Sequence, residues 1–128
     1  LSEERDSIGV VGDQQCTPSY VPHVATGILQ LLAARATGIY HVVNDNSTSW
    51  HDFACELFLA AGRKVSVAKI TSDDYPTVAQ RPRYSVLDTT KFTSAIGHSL
   101  PSWKSGIFEY VQSIEPQQFE RRKKGCVQ

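Results

Sequence analysis

Short β-branched runs alternate along this chain with stretches in which apolar residues recur at helical spacing, and the alternation predicts its architecture. Ile8-Gly9-Val10-Val11 reads as a strand closed by the turn chemistry of Gly12-Asp13. Asp13 to Tyr20 is polar, contains Pro18 and has no apolar period, so it reads as a loop. From there Val21, Val24, Ala25, Ile28 and Leu32 place one stripe on a helix, with Pro22 in the first turn where its missing N–H does no harm. Gly38 closes that region, and Ile39-Tyr40-His41-Val42-Val43 reads as a second strand covered on both faces. A second stripe, Trp50, Phe53, Ala54, Leu57, Phe58 and Ala61, predicts a helix capped by Ser49, with Asp52 near its positive end and Gly62 as its stop. Trp50 is assigned to core packing beside Phe53 and Leu57.

Val65 to Ile70 alternates as a third strand would. The order β, α, β, α, β predicts an α/β sheet with right-handed crossovers. Thr71 to Tyr84 holds Pro76 and Pro82 and reads as an irregular surface connection, the kind of segment on which function tends to lie. Asp88 or Thr89 caps a short helix through Phe92, Ala95 and Ile96 that Gly97 terminates, and a last helix carries Trp103, Ile107, Tyr110, Val111 and Ile114. Pro116 is expected to end the folded part. Residues 1–116 then form one unit, and 117–128, with Arg121-Arg122-Lys123-Lys124, a polar basic tail.

Composition narrows the class of protein. A chain of 128 residues is one domain's worth, and 41% hydrophobic with 20% charged residues excludes disorder as the default. Thirteen basic and thirteen acidic residues cancel, so the overall field points to neither nucleic acid nor an anionic membrane. No apolar stretch is long enough for a transmembrane helix. Cys16, Cys55 and Cys126 are too far apart for a zinc site or redox dithiol, and reduced thiols in a cytoplasmic protein are expected. The charged start, Leu1-Ser2-Glu3-Glu4-Arg5-Asp6, and the absence of any Met read as a cut made mid-protein, although processing accounts for them equally.

Generic catalytic patterns are missing. No glycine-rich phosphate loop joins a strand to a helix, His23, His41, His51 and His98 lack metal-ligand spacing, and no Ser is flanked by the glycines of a nucleophile elbow. The expectation is a chain with no catalytic residue, no cofactor-binding residue and no metal.

Four segments taken together say more. Val10-Val11-Gly12-Asp13-Gln14-Gln15-Cys16-Thr17-Pro18-Ser19-Tyr20 resembles the "V-x-D-Q-x-G-x-P-T-Y" segment of dTDP-4-dehydrorhamnose reductases, extended members of the short-chain dehydrogenase/reductase superfamily. Gly38-Ile39-Tyr40-His41 is similar to that family's "G-I-Y-H", Thr48 to Ala54 to its "S-W-Y-E-F-A", and Arg81 to Asp88 to its "R-P-x-x-S-x-L-D", all in the family's order. Two positions depart: Cys16 stands where the family commonly has Gly, and His23 where it commonly has Asp. A position needing positive φ would make Cys16 costly by about 1 kcal/mol or more.

The resemblance covers Ile8 to Val111 and implies the carboxy-terminal, substrate-side portion of a Rossmann-type α/β reductase. It implies reduction of dTDP-4-dehydro-L-rhamnose to dTDP-L-rhamnose for cell-surface polysaccharide, with NADPH or NADH bound by a missing amino-terminal Rossmann domain. That domain would also hold the family's Tyr-Lys pair, so the isolated chain is expected to be inactive. The alternative is a non-catalytic binding module, since the beta subunit of methionine adenosyltransferase resembles the family too, or a fragment with no function of its own. Apolar edges built for the missing half would lead the isolated chain to dimerise or aggregate.

For the dTDP-sugar substrate, five residues come forward. Arg81 and Arg83 offer bidentate forks to a diphosphate, against the structural reading in which Arg81 ties its own loop through backbone carbonyls. Asp13 and Gln14 offer hydrogen bonds to the sugar or the pyrimidine, against an Asp that only caps a turn. Tyr20 offers a stacking face, against simple packing at a helix start, and packing is the preferred reading.

Overall fold

The computed structural model of the chain describes residues 7–124, with 115–124 as helical backbone only. Its organising pair is β1 (Ser7–Val11) and β4 (Ser66–Ile70), which run parallel with Ser7 opposite Ser66 and Val11 opposite Ile70. Parallel neighbours require a long crossover. Here that crossover holds α1 (Val21–Ala33), β3 (Thr48–Ser49) and α2 (Trp50–Ala60), preceded by β2 (Gln15–Cys16). The Asp13 to Tyr20 segment is thus not wholly irregular. Gln15 pairs antiparallel with Ser49 and Cys16 with Thr48, while on the other side Gln15 N–H donates to the Arg83 carbonyl (2.8 Å) and its carbonyl accepts from Ser85 N–H (2.9 Å). Partly covered backbone groups that need partners make a short strand out of a sequence without β pattern.

α2 packs on β1, β4 and α4 (Trp103–Lys124). The main core lies between the two helices: Trp103, Ile107 and Val111, one turn apart on α4, are buried against Phe53, Leu57 and Ala61. Ser49, itself buried, caps α2 by accepting from Asp52 N–H at 3.1 Å, and Gly62 at φ 62° closes the other end. α3 (Thr90–Ile96) begins where the Asp88 carboxylate accepts from Thr90 N–H and Oγ1, and ends at Gly97 in the left-handed region. Both ends match the sequence expectation.

Four expectations need correction. α1 buries neither Ile28 nor Leu32, which are 47% and 66% exposed; its inward face is the one carrying His23, Gly27 and Gln30, where Gly27 meets Val42, Phe92 and Leu100 so closely that a Cβ would sit 3.0 to 3.3 Å from them. The apolar spacing identified a stripe but not which side has a partner. The helix also stops at Ala33, well before Gly38, because Arg35 takes φ 51° and Ala36 N–H closes on the Leu31 carbonyl. Ile39 to Val43 forms no strand, and Ile39 is 83% exposed: no described strand lies beside the run to complete a ladder. Finally, α4 passes through Pro116 to Lys124. Proline forfeits one hydrogen bond, but the residues after it are mostly strong helix formers. Residues 125–128 of the expected tail, with Cys126, lie outside the described residues.

Candidate functional site

Because β1 and β4 are parallel, the chain leaves both at the same end, the place where open α/β sheets bind ligands. The two exits are fastened to each other. Gly12 N–H donates to the Ile70 carbonyl at 2.9 Å, and Asp13 Oδ1 accepts from Ser72 N–H (3.1 Å) and Ser72 Oγ (2.8 Å). Gln14 Nε2 then donates to the same Ser72 Oγ at 3.0 Å, so that hydroxyl donates once and accepts once, using both of its capacities. The Ser72 hydroxyl holds the Asp13 carboxyl below its ordinary range, burial works against this, and Arg83 adds a smaller attraction. Asp74 fixes the next turn in the same way, accepting from Thr71 N–H and Oγ1.

Beyond this latch opens a groove of about 1190 Å³ whose lining includes Gln14, Trp50, Tyr75, Arg81 and Arg83. The expected site residues therefore divide. Gln14, Arg81 and Arg83 share one groove, although they are far apart in sequence. Asp13 sits behind them as the latch. Tyr20 stands apart from the groove: its N–H donates to Asn44 Oδ1 (2.8 Å), its ring meets His23 edge-on at 4.9 Å, and its Cβ lies against Gly106 of α4. These contacts of Tyr20 are packing contacts.

Arg83 is anchored by its own carbonyl through Gln15, which fixes where the guanidinium starts. Arg81 forms no hydrogen bond or ion pair with another described residue, so the loop-tying alternative is not realised among them. Both arginines are exposed. Trp50 corrects a further expectation: it is 43% exposed and lines the groove instead of joining the core, which begins one turn later at Phe53. Helical spacing cannot separate the two, since both Trp50 and Phe53 fall on the same apolar stripe. Tyr75 and Gln80 also line the groove. They lie in the connection flagged as functional, but no periodicity marks them individually.

The departures at Cys16 and His23 are both absorbed. Cys16 is in strand β2, outside the left-handed region, and its buried thiol donates to the Thr48 carbonyl at 3.6 Å, with burial pushing the thiol's pKa up. His23 Nε2 lies 3.0 Å from the Glu109 carboxylate, and its Nδ1 accepts from Asn44 Nδ2 at 2.7 Å. Asn44, only 1% exposed, also donates to the Pro101 carbonyl (2.8 Å) and so joins α1, the segment before β3 and the start of α4.

Chemically, two cationic forks beside an indole and a phenol suit an anionic, ring-bearing ligand. The titratable groups of the groove's described lining, besides the arginines, are Asp73 and Tyr75. Gly12 leads from β1 into β2, and the Lys69 side chain fills the space at its Cα, where an added Cβ would lie 2.3 Å from Cε. The described residues hold no cluster of three potential metal ligands, and no helix among them is long and apolar enough to cross a membrane.

Comparisons with known proteins identify the family. The dTDP-4-dehydrorhamnose reductase of Aggregatibacter actinomycetemcomitans is 36% identical over 119 residues, covering 84% of this chain and 40% of that protein. Among solved structures, dTDP-4-dehydrorhamnose reductase from Bacillus anthracis in complex with NADP superposes with a TM-score of 0.82 at 33% identity, covering 88% of this chain and 40% of that one. The Clostridium acetobutylicum reductase gives 0.84 at 30% identity, covering 90% and 41%. The chain thus spans about two-fifths of the length of these relatives. The family model described as RmlD substrate binding domain matches residues 1–115, and the chain belongs to that family.

Proposed function

We propose that this chain is the substrate-side part of a dTDP-4-dehydrorhamnose reductase and that its groove holds the dTDP-sugar. The observation that carries the reading is the convergence of Arg81, Arg83 and Gln14 with the exposed Trp50 on one open groove. Arg81 and Arg83 take the diphosphate by charge-assisted, bidentate hydrogen bonds. Trp50 offers its face to the thymine ring, and Gln14, held by Ser72, hydrogen-bonds the sugar or the base. Asp13 acts one step back, fixing Ser72 and through it Gln14.

In the full reaction, reduction of dTDP-4-dehydro-L-rhamnose to dTDP-L-rhamnose, this part holds the sugar so that its C4 carbonyl is presented at reacting distance. The nicotinamide, NADPH or NADH, supplies the hydride and is bound by residues outside this chain. The apolar surface of α1, with Ile28, Leu29 and Leu32 exposed, is where the rest of such a reductase docks. In the isolated chain the same surface promotes a homodimer. A reductase of a nucleotide sugar would act in the cytoplasm.

Titration of the chain with dTDP, followed by tryptophan fluorescence and by calorimetry, tests this. Binding is expected in the millimolar range, and Arg81→Ala should weaken it about tenfold, the loss of one charge-assisted contact. The isolated chain should reduce no dTDP-4-dehydro-L-rhamnose with either nicotinamide. No heat and no fluorescence change at millimolar dTDP would remove the substrate assignment.

A further inference from the structure

Beside the groove but outside its lining, α2 carries three side chains in a chemically ordered row. Cys55 Sγ lies 3.8 Å from His51 Nε2, and His51 Nδ1 lies 2.9 Å from Asp52 Oδ1. Spacing explains the first contact, because residues four apart stand over one another on a helix. The second decides the chemistry. Asp52 is held ionised, first by its hydrogen bond with His51 and then by the hydroxyl of Ser49, with Lys69 of β4 adding attraction. A carboxylate only accepts, so Nδ1 carries the proton and Nε2 of the neutral ring is left as an acceptor facing the thiol. Nε2 also lies 3.4 Å from the Val67 carbonyl. Once Nε2 has taken a proton, that carbonyl accepts from it, so both N–H groups of the imidazolium find acceptors.

We propose that Cys55 is a nucleophilic thiol, activated by His51 and oriented through Asp52, and that it is a site of S-thiolation by small-molecule disulfides. The order nucleophile, base, orienting carboxylate is the arrangement by which weak nucleophiles are made reactive. In the step, the Sγ proton passes to His51 Nε2 and the thiolate attacks one sulfur of a disulfide. A new S–S bond forms as the old one breaks, and the departing thiolate recovers the proton from Nε2. Cys55 is oxidised to a mixed disulfide, and one molecule of the small disulfide is reduced to one thiol and one bound half.

Cys16 is the internal contrast. Cys16 is 7% exposed, its thiol donates to a backbone carbonyl, and no base among the described residues is hydrogen-bonded to it, so it should be inert. Cys55 and His51 are both partly exposed, His51 by 18% of its side chain. The pair lies directly after Trp50, so an adduct that displaces His51 from the Val67 carbonyl acts next to the groove wall.

The test is reaction of the full chain with glutathione disulfide, read by mass spectrometry on tryptic peptides, which place Cys16, Cys55 and Cys126 in separate fragments. At pH 7 Cys55 should react at least about tenfold faster than Cys16, and His51→Gln should slow Cys55 about tenfold, as loss of an activating base does. At about pH 9.5 the parent and His51→Gln should converge, since an activating base confers no advantage on thiols in general at that pH. Equal rates at pH 7, or the same ratio at both pH values, would overturn the proposal. If His51→Gln does not fold, Cys16 becomes as reactive as Cys55 in it, and the parent's own pH profile decides. Between pH 6 and 8 the Cys55 rate should change by clearly less than the roughly tenfold per pH unit of an unassisted thiol. A full tenfold slope would count against activation.

Discussion

α1 and α2 are helices of similar length, 13 and 11 residues, and each carries an apolar stripe plain in the sequence. α2 is started by a side-chain cap on Ser49 and lays Phe53 and Leu57 against Trp103 and Ile107. α1 has no side-chain cap, buries only Gly27 completely, and leaves Val21, Ile28, Leu29 and Leu32 to solvent. A stripe marks a surface that gains from being covered, about 25 cal/mol per Å² removed from water, but the gain arises only where a neighbour exists. In this chain α4 is that neighbour for α2. The neighbour for α1's stripe is missing among the described residues, in a chain that spans about two-fifths of its relatives.

The sharpest break of this comparison is truncation on each helix's packing surface. Trp103→Ala should cost about 3–5 kcal/mol in urea unfolding, as removal of a large buried aromatic does, while Ile28→Ala, measured at a dilution where sedimentation shows a monomer, should stay within about 0.5 kcal/mol. Comparable losses at the two sites in the monomer would mean that α1's stripe is covered within the chain itself. A smaller effect is expected at the cap. Ser49→Ala should cost about 1 kcal/mol, because Asp52 N–H at the start of α2 loses its acceptor, and amide exchange should rise first in that turn. An unchanged exchange rate there would sink the cap's role.

Smallest is the response to acid. Asp13 and Asp74 both have lowered pKa values, chiefly through hydrogen bonds from Ser72 and from Thr71. A lowered carboxylate contributes stability above its unfolded value and loses it as pH falls through the folded one. The latch at Ser72 should therefore loosen below about pH 4, before the α2–α4 core does. Amide protection of Ser72 measured by NMR from neutral pH downward checks the order. Simultaneous loss in the latch and the core would show that the groove has no stability of its own.

Much of the fold was legible because it depends on local chemistry. The strand at Ile8 to Val11, the helix from Trp50 between Ser49 and Gly62, and the short helix between Asp88 and Gly97 all follow from turns, caps and period. Ile39 to Val43 forms no strand despite its apolar run, because such a run makes a strand only when another strand offers its edge. The site was half legible. Gln14, Arg81 and Arg83 come from the family motifs and do share the groove, whereas Trp50 lies at the end of an apolar stripe and looks like core. Tyr20 carries the same motif, yet Asn44 and Gly106 draw it to α4.

By itself, then, the sequence determined the strands at Ile8 to Val11 and Val65 to Ile70, the start and stop of α2 and of α3, and the family, since each of these is written in residues near one another or in motifs read in order. Tertiary structure decided which apolar surfaces are covered, that β1 and β4 leave the sheet side by side, and that Asp13 closes on Ser72 across the pair. Those outcomes rest on contacts between residues far apart in the chain, and no local pattern encodes which distant partner will be present.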